Sequence, residues 1–490
     1  MIKNLYPKTF NFLFIINIFF WDINSGIYQQ KMLFVLLPLI YFFCKINLNN
    51  NNKNFFFEDS LTFPNYSQYF KFTIFLISFF FILLLHKLLF SIGSNSTETI
   101  KSIIKIFFII LIIFCIYFNF NILEKNFDKI IIYAIYLISI LFFIEILINI
   151  RSGVFTSNYA YANNCYDDFL RKNSIIFMEG SHFGMVVPSL IIAYLLIIFE
   201  KSKNLIYYIP IIFLLYCTFA IALTLTFALS FIFGLVLCFL FYNNYKFKII
   251  SFLLIILTIL NFISMPKCVI KFTVISTSII EKIDNHFFNN IKKNYSDFAL
   301  KVYVNAKNLK ENEFKKNKIK IDDNENHNHN HNHNQNQFLN VNQMESSLSQ
   351  AVYVNSFKVL IEAIKDNIFG YGIGEYKNIF FQHVAQTSKN ITRDKDINKI
   401  VKILNTDDAS NNFVKLSVEL GVFSILIYLS LIIFLFIGKI DIKIKIFVLT
   451  IVVTQLFLRG AGYFNGGFMI CLAIVFVTLF LKKDYEKKNL

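Results

Sequence analysis

Residues 205–242 read LIYYIPIIFLLYCTFAIALTLTFALSFIFGLVLCFLFY and contain no charged side chain. A helix needs roughly 20 apolar residues to cross the hydrocarbon core of a bilayer, which is about 30 Å thick. The stretch is long enough for two crossings, so we expect two helices joined by a tight turn near Ala222–Thr224. Such a pair indicates a chain that crosses a membrane several times.

The composition of the whole chain agrees with this reading. Of 490 residues, 56% are hydrophobic and 16% are charged, whereas an ordinary soluble domain has roughly 25% charged residues. So few charges cannot coat the surfaces of a soluble chain of this length, and disordered chains have low hydrophobicity. The predicted fold class is therefore an all-α polytopic membrane protein.

Apolar runs along the chain predict twelve transmembrane helices, with one large extracytoplasmic loop between spans 9 and 10. The predicted spans are approximately 5–21, 31–46, 70–92, 102–120, 129–150, 183–199, 205–221, 224–242, 247–264, 413–437, 443–458 and 462–481. They divide the chain into a bundle of nine spans at 1–264, a loop at 265–412, and three spans with a tail at 413–490.

The net charge is +16, from 47 Lys and Arg against 31 Asp and Glu. Lysines that flank the predicted spans fall mostly on one side, and positive charge concentrates in cytoplasmic loops. We therefore expect cytoplasmic N- and C-termini and no nucleic-acid partner. The absence of an internal repeat disfavours a transporter built from inverted repeats.

Two segments of the large loop stand out. Residues 301–342 are a low-complexity insert whose tract HNHNHNHNQNQ, at 327–337, is either a solvated insertion or a metal-binding tract. Residues 351–368 have the periodicity of an amphipathic helix. Its predicted apolar face comprises Tyr353, Phe357, Leu360, Ile361, Ile364 and Ile368. We expect this helix to lie on the membrane surface or to cover the bundle as a lid.

The run Gly370-Tyr-Gly-Ile-Gly-Glu-Tyr376 follows that helix. A dinucleotide-binding loop needs a preceding strand, and here the preceding element is a predicted helix. The two remaining interpretations are a helix-capping turn and a turn whose backbone amides approach a phosphate.

Arg459 is the sharpest candidate site residue, because ionisable groups near a membrane core are costly. It precedes the glycine-rich run at 460–467 and is predicted at the outer mouth of the bundle. Its planar guanidinium suits a pyrophosphate. The alternative is an interfacial arginine that reaches the lipid headgroups.

Further candidates lie at the predicted outer face. Glu179 and His182 are three residues apart and form either an acid–base pair or a helix N-cap cluster. Asp407, Asp408, Ser410, Asn411 and Asn412 open predicted span 10, where Ser410 or Asn411 alternatively only caps the helix, and Glu419 follows about two turns later. Cys165 and Cys268 could pair if the compartment is oxidising.

Four segments, in order, resemble the O-antigen polymerase and O-antigen ligase superfamily, most closely the Wzy-type repeat-unit polymerases. They are FMEGSHFG at 177–184, AVYVNSFKVLIEAIKDNIFGYGIGEY at 351–376, SNNFVKLSVELGVFSILIYL at 410–429 and LRGAGYFNGG at 458–467. Two departures from the pattern favour a polymerase over a ligase. The histidine that precedes Asn in ligases is Ser410 here, and a Ser-Arg pair of the mid-chain span is absent from 224–230.

The resemblance implies a glycosyltransferase that moves a growing glycan from its polyprenyl pyrophosphate carrier onto the next lipid-linked repeat unit. It implies no cofactor, nucleotide sugar or obligatory metal. Its expected partners are lipid-linked oligosaccharide, membrane lipids, a chain-length regulator and a flippase. On this reading Arg459, Arg171 and Arg393 hold the pyrophosphate, and Glu179, Asp407 or Asp408 takes the acceptor proton. The rival functions are an O-antigen ligase and a flippase for lipid-linked sugars.

Overall fold

The structure is a computed structural model that describes residues 2–20, 66–91, 96–151, 180–201, 205–220, 224–263, 348–387, 409–437 and 440–481. Its regular elements within these ranges are helical. In chain order they are α1 (Ile2–Phe19), α2 (Tyr66–Phe90), α3 (Ser96–Arg151), α4 (Gly180–Lys201), α5 (Ile209–Ala220), α6 (Leu225–Phe241), α7 (Tyr245–Ile263), α8 (Leu348–Asp366), α9 (Tyr376–Thr387), α10 (Asn412–Leu420), α11 (Ser424–Phe436), α12 (Ile442–Val453) and α13 (Phe468–Leu481).

Five segments of these helices are long and apolar enough to cross a membrane: Phe70–Phe90, Thr97–Ile144, His182–Glu200, Tyr245–Ile263 and Asn412–Phe436. Three shorter helices are also apolar. The chain is thus an integral membrane protein. The count of twelve spans and the position of the large loop stay predictions, because predicted span 31–46 and residues 264–347 and 388–408 lie outside the described residues.

The charge-free stretch at 205–242 forms two helices, as predicted. A 3₁₀ turn at Leu205–Tyr208 leads into α5, and α6 begins after Thr224. The Thr224 hydroxyl caps α6 by accepting a hydrogen bond from the Phe227 amide at 3.1 Å. Threonine at this position satisfies a backbone donor that the first turn of a helix leaves unpaired, so the second helix starts where the sequence places its cap.

Helices α4, α6 and α12 form the centre of the bundle around Gly234. A Cβ atom at Gly234 would lie 2.3 Å from Ile192 Cδ1 and 2.8 Å from Thr450 Oγ1, so the three helices approach closely because this residue has no side chain. One turn away, the Thr454 hydroxyl donates to the Ser230 hydroxyl at 2.7 Å. We call the end of the bundle near Thr454 the upper end.

The opposite, lower end is held by a cluster of charges around the buried Lys443. The Lys443 ammonium lies 2.9 Å from Glu200, 3.2 Å from Asp128 and 3.4 Å from Asp441, and the Tyr242 hydroxyl donates to Glu200 at 3.1 Å. Three carboxylates around one ammonium join α3, α4 and α12. The sequence predicts only that Lys443 marks the cytoplasmic side of the membrane. In the structure it also holds three segments of the bundle together.

The sequence predicted two separate helices, at 102–120 and 129–150. This is wrong, because the two segments belong to one continuous helix, α3, of 56 residues. Residues 121–128 contain no proline or glycine that would end a helix. The Asn119 and Asn126 side chains donate to the carbonyls of Cys115 and Ile122, four residues back, at 2.8 and 3.0 Å. Side chains that bond these carbonyls compete with the backbone ladder and bend helices.

The contacts of α3 show that its direction reverses at this bend. Ile109 lies beside Met469, near the start of α13 at the upper end. Asp128 contacts Lys443 at the lower end, and Phe142 then packs against Phe183 at the upper end, with ring centroids 5.6 Å apart. A straight helix of this length would extend roughly 84 Å. The two predicted spans are thus two arms of one bent helix.

The amphipathic helix predicted at 351–368 is α8, but the face that it buries differs from the predicted face. Val359, Leu360 and Ala363 are buried in a small core shared with α9 and α10. Ile364 and Ile368, which were expected on the packed side, are 38% and 57% exposed. The helix packs on two neighbouring helices rather than on a flat surface, so its buried stripe is rotated.

Two glycines of the bundle should differ in their tolerance of alanine. A Cβ at Gly184 would lie 2.6 Å from the Phe227 backbone nitrogen, whereas at Gly234 the nearest atom is the mobile end of the Ile192 side chain. We expect Gly184→Ala to destabilise the fold by about 1–3 kcal/mol and Gly234→Ala by less. Thermal melting of the purified variants, followed by circular dichroism, tests this order; a lower midpoint for Gly234→Ala would contradict it.

Candidate functional site

Two predicted motifs meet at the upper end of the bundle. The Gly460 amide donates to the Ser410 carbonyl at 2.8 Å. A Cβ at Gly460 would lie 2.7 Å from the Asn412 amide nitrogen, so only glycine permits this approach. The contact places Arg459, which is partly exposed, directly beside the start of α10. Four sequence candidates, Arg459 and Ser410–Asn412, thus belong to one cluster.

Ser410 has a strained backbone. Ala409 and Ser410 have φ values of +62° and +65°, a left-handed conformation that costs non-glycine residues of order 1–3 kcal/mol each. The Ser410 hydroxyl is buried and lies 3.5 Å from the hydroxyl of Ser356 on α8. Such conformations persist where surrounding contacts fix them, and they cluster at functional sites.

Asn411 caps α10, which was one of the two roles considered for it. Its side-chain oxygen accepts from the Val414 amide at 2.8 Å. The Tyr353 hydroxyl of α8 donates to the Phe457 carbonyl at 2.5 Å. Burial raises the pKa of Tyr353. Tyr353 therefore stays protonated and ties α8 to the cluster.

Asn412 and Gln455 carry buried amide atoms that find no hydrogen-bond partner in the described part of the chain. These atoms are both side-chain polar atoms of Asn412 and Oε1 of Gln455. The Gln455 Nε2 does donate to the Gly466 carbonyl at 2.6 Å. A buried polar group without a partner costs about 1–3 kcal/mol. The amides are consequently available to water or to a hydroxyl-rich ligand.

Glu419 is fully buried and joins three segments. The Tyr463 hydroxyl donates to its Oε2 at 2.7 Å, and the Tyr376 amide approaches its Oε1 at 3.4 Å. Its carbonyl accepts from the amides of Gly372 and Tyr371 at 2.7 and 3.1 Å. Burial, followed by the neighbouring Glu419 carboxylate, raises the pKa of Tyr463 well above its ordinary value, so this hydroxyl remains a donor.

The glycine run before α9 is a turn packed on protein, and the phosphate-binding interpretation of it is not supported. Gly370, Gly372 and Gly374 have φ values of +83°, +88° and +87°, which explains the glycine at each position. The amide of Gly372 points at the Glu419 carbonyl, so it is not available to a phosphate. Asn367 closes the start of the turn, because its side chain donates to the Gly370 carbonyl at 2.7 Å.

A small apolar cleft of about 40 Å³ lies next to Tyr463, the hydrogen-bond partner of Glu419. Its lining is apolar and comprises Phe79, Leu83, Ile109, Ile373, Leu416, Leu420, Ile427, Tyr463, Phe468, Met469, Leu472 and Phe476. The Lys415 ammonium lies 4.9 Å from the centre of the Tyr463 ring, which is a cation–π distance. The cleft therefore offers an apolar surface to hydrocarbon, with positive charge close to one of its lining residues.

The remaining predicted residues divide into two groups. Glu179, Arg171, Arg393, Asp407 and Asp408 lie outside the described residues, as do the cysteines Cys165 and Cys268 and the His-Asn tract at 327–337. His182 is half-buried in the first turn of α4. Its neighbour Phe183 stacks on Phe227 at 5.6 Å, which places His182 at the upper end.

No cluster of three or more His, Cys, Asp or Glu that could hold a metal ion occurs among the described residues. The site also contains residues that were not predicted from the sequence, namely Tyr463, Lys415 and Gln455. Gln455 had a usable signal, since a lone amide inside the predicted span 443–458 is costly in a membrane. Tyr463 and Lys415 had none, because only the fold brings them to Glu419.

This fold and site define an integral membrane protein with a buried carboxylate, buried amides and an apolar cleft at one end of a helical bundle. Residues 209–429 match the family model described as O-antigen ligase, so this part of the chain is similar to that family. The match runs from α5 into α11 and so includes the start of α10 and Glu419. No curated protein and no solved structure matches the chain at a significant level.

The bond between Tyr463 and Glu419 can be tested against a matched tyrosine. Hydrogen bonds to charged groups contribute about 1.5–3 kcal/mol and neutral ones about 0.5–1.5 kcal/mol. The Tyr428 hydroxyl lies 2.9 Å from the neutral Ser417 hydroxyl. We therefore expect Tyr463→Phe to lower the melting temperature more than Tyr428→Phe does. Equal shifts in the two variants would contradict a stronger hydrogen bond at Tyr463 than at Tyr428.

Proposed function

We propose that the protein polymerises polyprenyl-pyrophosphate-linked oligosaccharide repeat units into a surface polysaccharide. The family match supports a membrane enzyme of the ligase and polymerase type that takes lipid-linked oligosaccharide. The observation that carries the finer proposal is the arrangement around α10. Arg459 lies beside the Ser410–Asn412 segment at its start, and Glu419 further along it bonds Tyr463, which lines the apolar cleft. A cation, a carboxylate, buried amides and a hydrocarbon surface are the groups that this transfer requires.

In the proposed reaction, a hydroxyl oxygen of the lipid-linked acceptor attacks the anomeric carbon of the donor glycan. The bond from that carbon to the pyrophosphate oxygen breaks, and polyprenyl pyrophosphate leaves. Arg459 balances the charge of the leaving group, because its planar fork can donate two parallel hydrogen bonds. Arg171 and Arg393 are proposed to supply further positive charge.

A carboxylate takes the proton of the acceptor hydroxyl. Glu179 remains the leading proposal from the sequence, followed by Asp407 and Asp408. Unlike these three residues, Glu419 lies within the described residues. Its hydrogen-bond partner Tyr463 lines the cleft. His182, at the same end of the bundle, is a further proposed participant in proton transfer.

The apolar cleft is proposed to hold the prenyl chain of the carrier. Burial of hydrocarbon stabilises binding by about 25 cal/mol per Å², so a cleft lined by leucine, isoleucine and phenylalanine suits a long unsaturated chain. Helix α8 would close over the sugars, since Tyr353 and Ser356 already connect it to the segments at 457 and 410. A chain-length regulator and a flippase are the proposed protein partners.

Two sequence departures support polymerase over ligase. Ser410 occupies the position of the histidine expected of ligases, and residues 224–230 lack the expected Ser-Arg pair. In the structure Ser410 is buried against Ser356, and Thr224 serves as a helix cap. Neither position holds a group that could act as a base or bind an anion by charge.

Replacing Arg459 should stop polymerisation. Loss of a preorganised donor to a developing charge costs about 10²–10³-fold in rate, so we expect Arg459→Ala to leave single-repeat surface glycan. Arg459→Lys should retain part of the activity, because an ammonium keeps the charge without the fork. Lys377→Ala, at an exposed position of α9, is the control. The length of the surface glycan is measured on gels. Long chains in Arg459→Ala would contradict the proposed role of Arg459 at the leaving pyrophosphate.

Filling the cleft should weaken substrate binding. Leu472 is buried in the lining, and a tryptophan there would occupy the space proposed for the prenyl chain. We expect Leu472→Trp to raise the KM for lipid-linked repeat unit about tenfold, equivalent to roughly 1.4 kcal/mol. Leu426→Trp, at a site that is 65% exposed, is the control. Unchanged KM in a folded Leu472→Trp variant would exclude the cleft as the lipid site.

Deletion of the gene separates the rival functions. Single-repeat surface glycan indicates a lost polymerase, polymer that remains on its carrier indicates a lost ligase, and no surface repeat indicates a lost flippase. We expect the first result. The assay compares the deletion strain with the same strain complemented by the intact chain and by Arg459→Ala.

A further inference from the structure

Lys87 is a fully buried lysine near the end of α2, within a segment that is apolar enough to cross a membrane. It forms an ion pair with Glu375, which is 1% exposed. An ionisable pair in such a place is costly to bury and is a functional candidate by default. Neither residue has been given a role in the site described above.

The Lys87–Glu375 pair holds the end of the glycine turn at 370–375. His86, the residue before Lys87, holds the start of the turn. His86 Nε2 lies 2.8 Å from the Phe369 carbonyl. Between these two contacts, a Cβ at Gly372 would lie 2.9 Å from the Cα of Lys87. The turn therefore lies directly on the end of α2.

The other side of the turn holds Glu419. Gly372 donates to the Glu419 carbonyl at 2.7 Å, and the Tyr376 amide approaches the Glu419 carboxylate. Glu375 is bonded on both oxygens, because Asn378 donates to its Oε2 at 2.7 Å while Lys87 contacts Oε1. A continuous set of bonds thus runs from α2, through the turn, to the carboxylate beside the cleft.

We propose that Lys87 and Glu375 are positioning residues, which hold the glycine turn and thereby orient Glu419 for glycan transfer. This inference rests on the function proposed above. Three glycines with positive φ make the turn permissive, so contacts outside the turn must select one conformation. A buried ion pair gives little net stability and is suited to specifying an arrangement.

The first test measures the turn directly and does not depend on activity. Hydrogen exchange is followed by mass spectrometry in peptides that cover 369–376, in the full-length protein in lipid nanodiscs. We expect Lys87→Met and Glu375→Gln each to speed exchange of the Tyr371 and Gly372 amides at least tenfold. The exposed pair Lys365 and Glu362, 3.0 Å apart on α8, supplies the control variants Lys365→Met and Glu362→Gln, which should leave this exchange unchanged.

The second test measures transfer on lipid-linked repeat unit. Each single variant should lower kcat tenfold or more and leave KM within twofold, because the cleft is untouched. Lys87→Arg and Glu375→Asp keep the charges and should recover most of kcat. If a lone buried charge prevents folding of a single variant, the neutral double variant Lys87→Met/Glu375→Gln carries both measurements.

The outcomes are separable. Unchanged exchange in folded variants would show that the pair does not hold the turn, and would overturn the inference. Faster exchange with unchanged kcat would overturn the positioning role and leave the proposed polymerase intact. A wild-type protein that extends no glycan would remove the proposed function and the reaction that this pair is inferred to serve. The exchange result would then still decide whether the pair holds the turn.

Discussion

The upper end of the bundle is organised by one buried carboxylate, that of Glu419. A carboxylate inside an apolar bundle must be surrounded by donors, because its desolvation is costly. Here the Tyr463 hydroxyl and the Tyr376 amide surround it, while its own carbonyl fixes the amides of the glycine turn. Glu419 therefore links the loop after α12, the start of α9 and helix α10.

Close backbone approaches make this arrangement possible. Gly460 lets the loop after α12 contact the start of α10, and Gly421 sits against the carbonyl of Ile368, where a Cβ would lie 2.2 Å away. Packing of this kind leaves little room for adjustment. The left-handed conformations of Ala409 and Ser410 show where the chain bends to meet these contacts.

Much of the architecture could be predicted from the sequence, because apolar length and caps are local properties. The helix pair at 205–242 and the helix near 351–368 exist as expected. Among the site residues, Arg459 lies beside Ser410–Asn412, a contact that the sequence did not predict. Other features depend on tertiary contacts. The bend of α3 lies in the region where the Asn119 and Asn126 side chains bond the backbone. The buried stripe of α8 is set by its neighbours, and the Lys87–Glu375 ion pair joins residues 288 positions apart.

The serine at position 410 has a consequence for how this end of the molecule responds to its surroundings. Histidine is the side chain whose ordinary charge change falls between pH 5 and 8. A hydroxyl in its place carries no charge in that range, and the adjacent Asn411 and Asn412 are neutral as well. Position 410 therefore adds no change of charge to the start of α10 between pH 5 and 8.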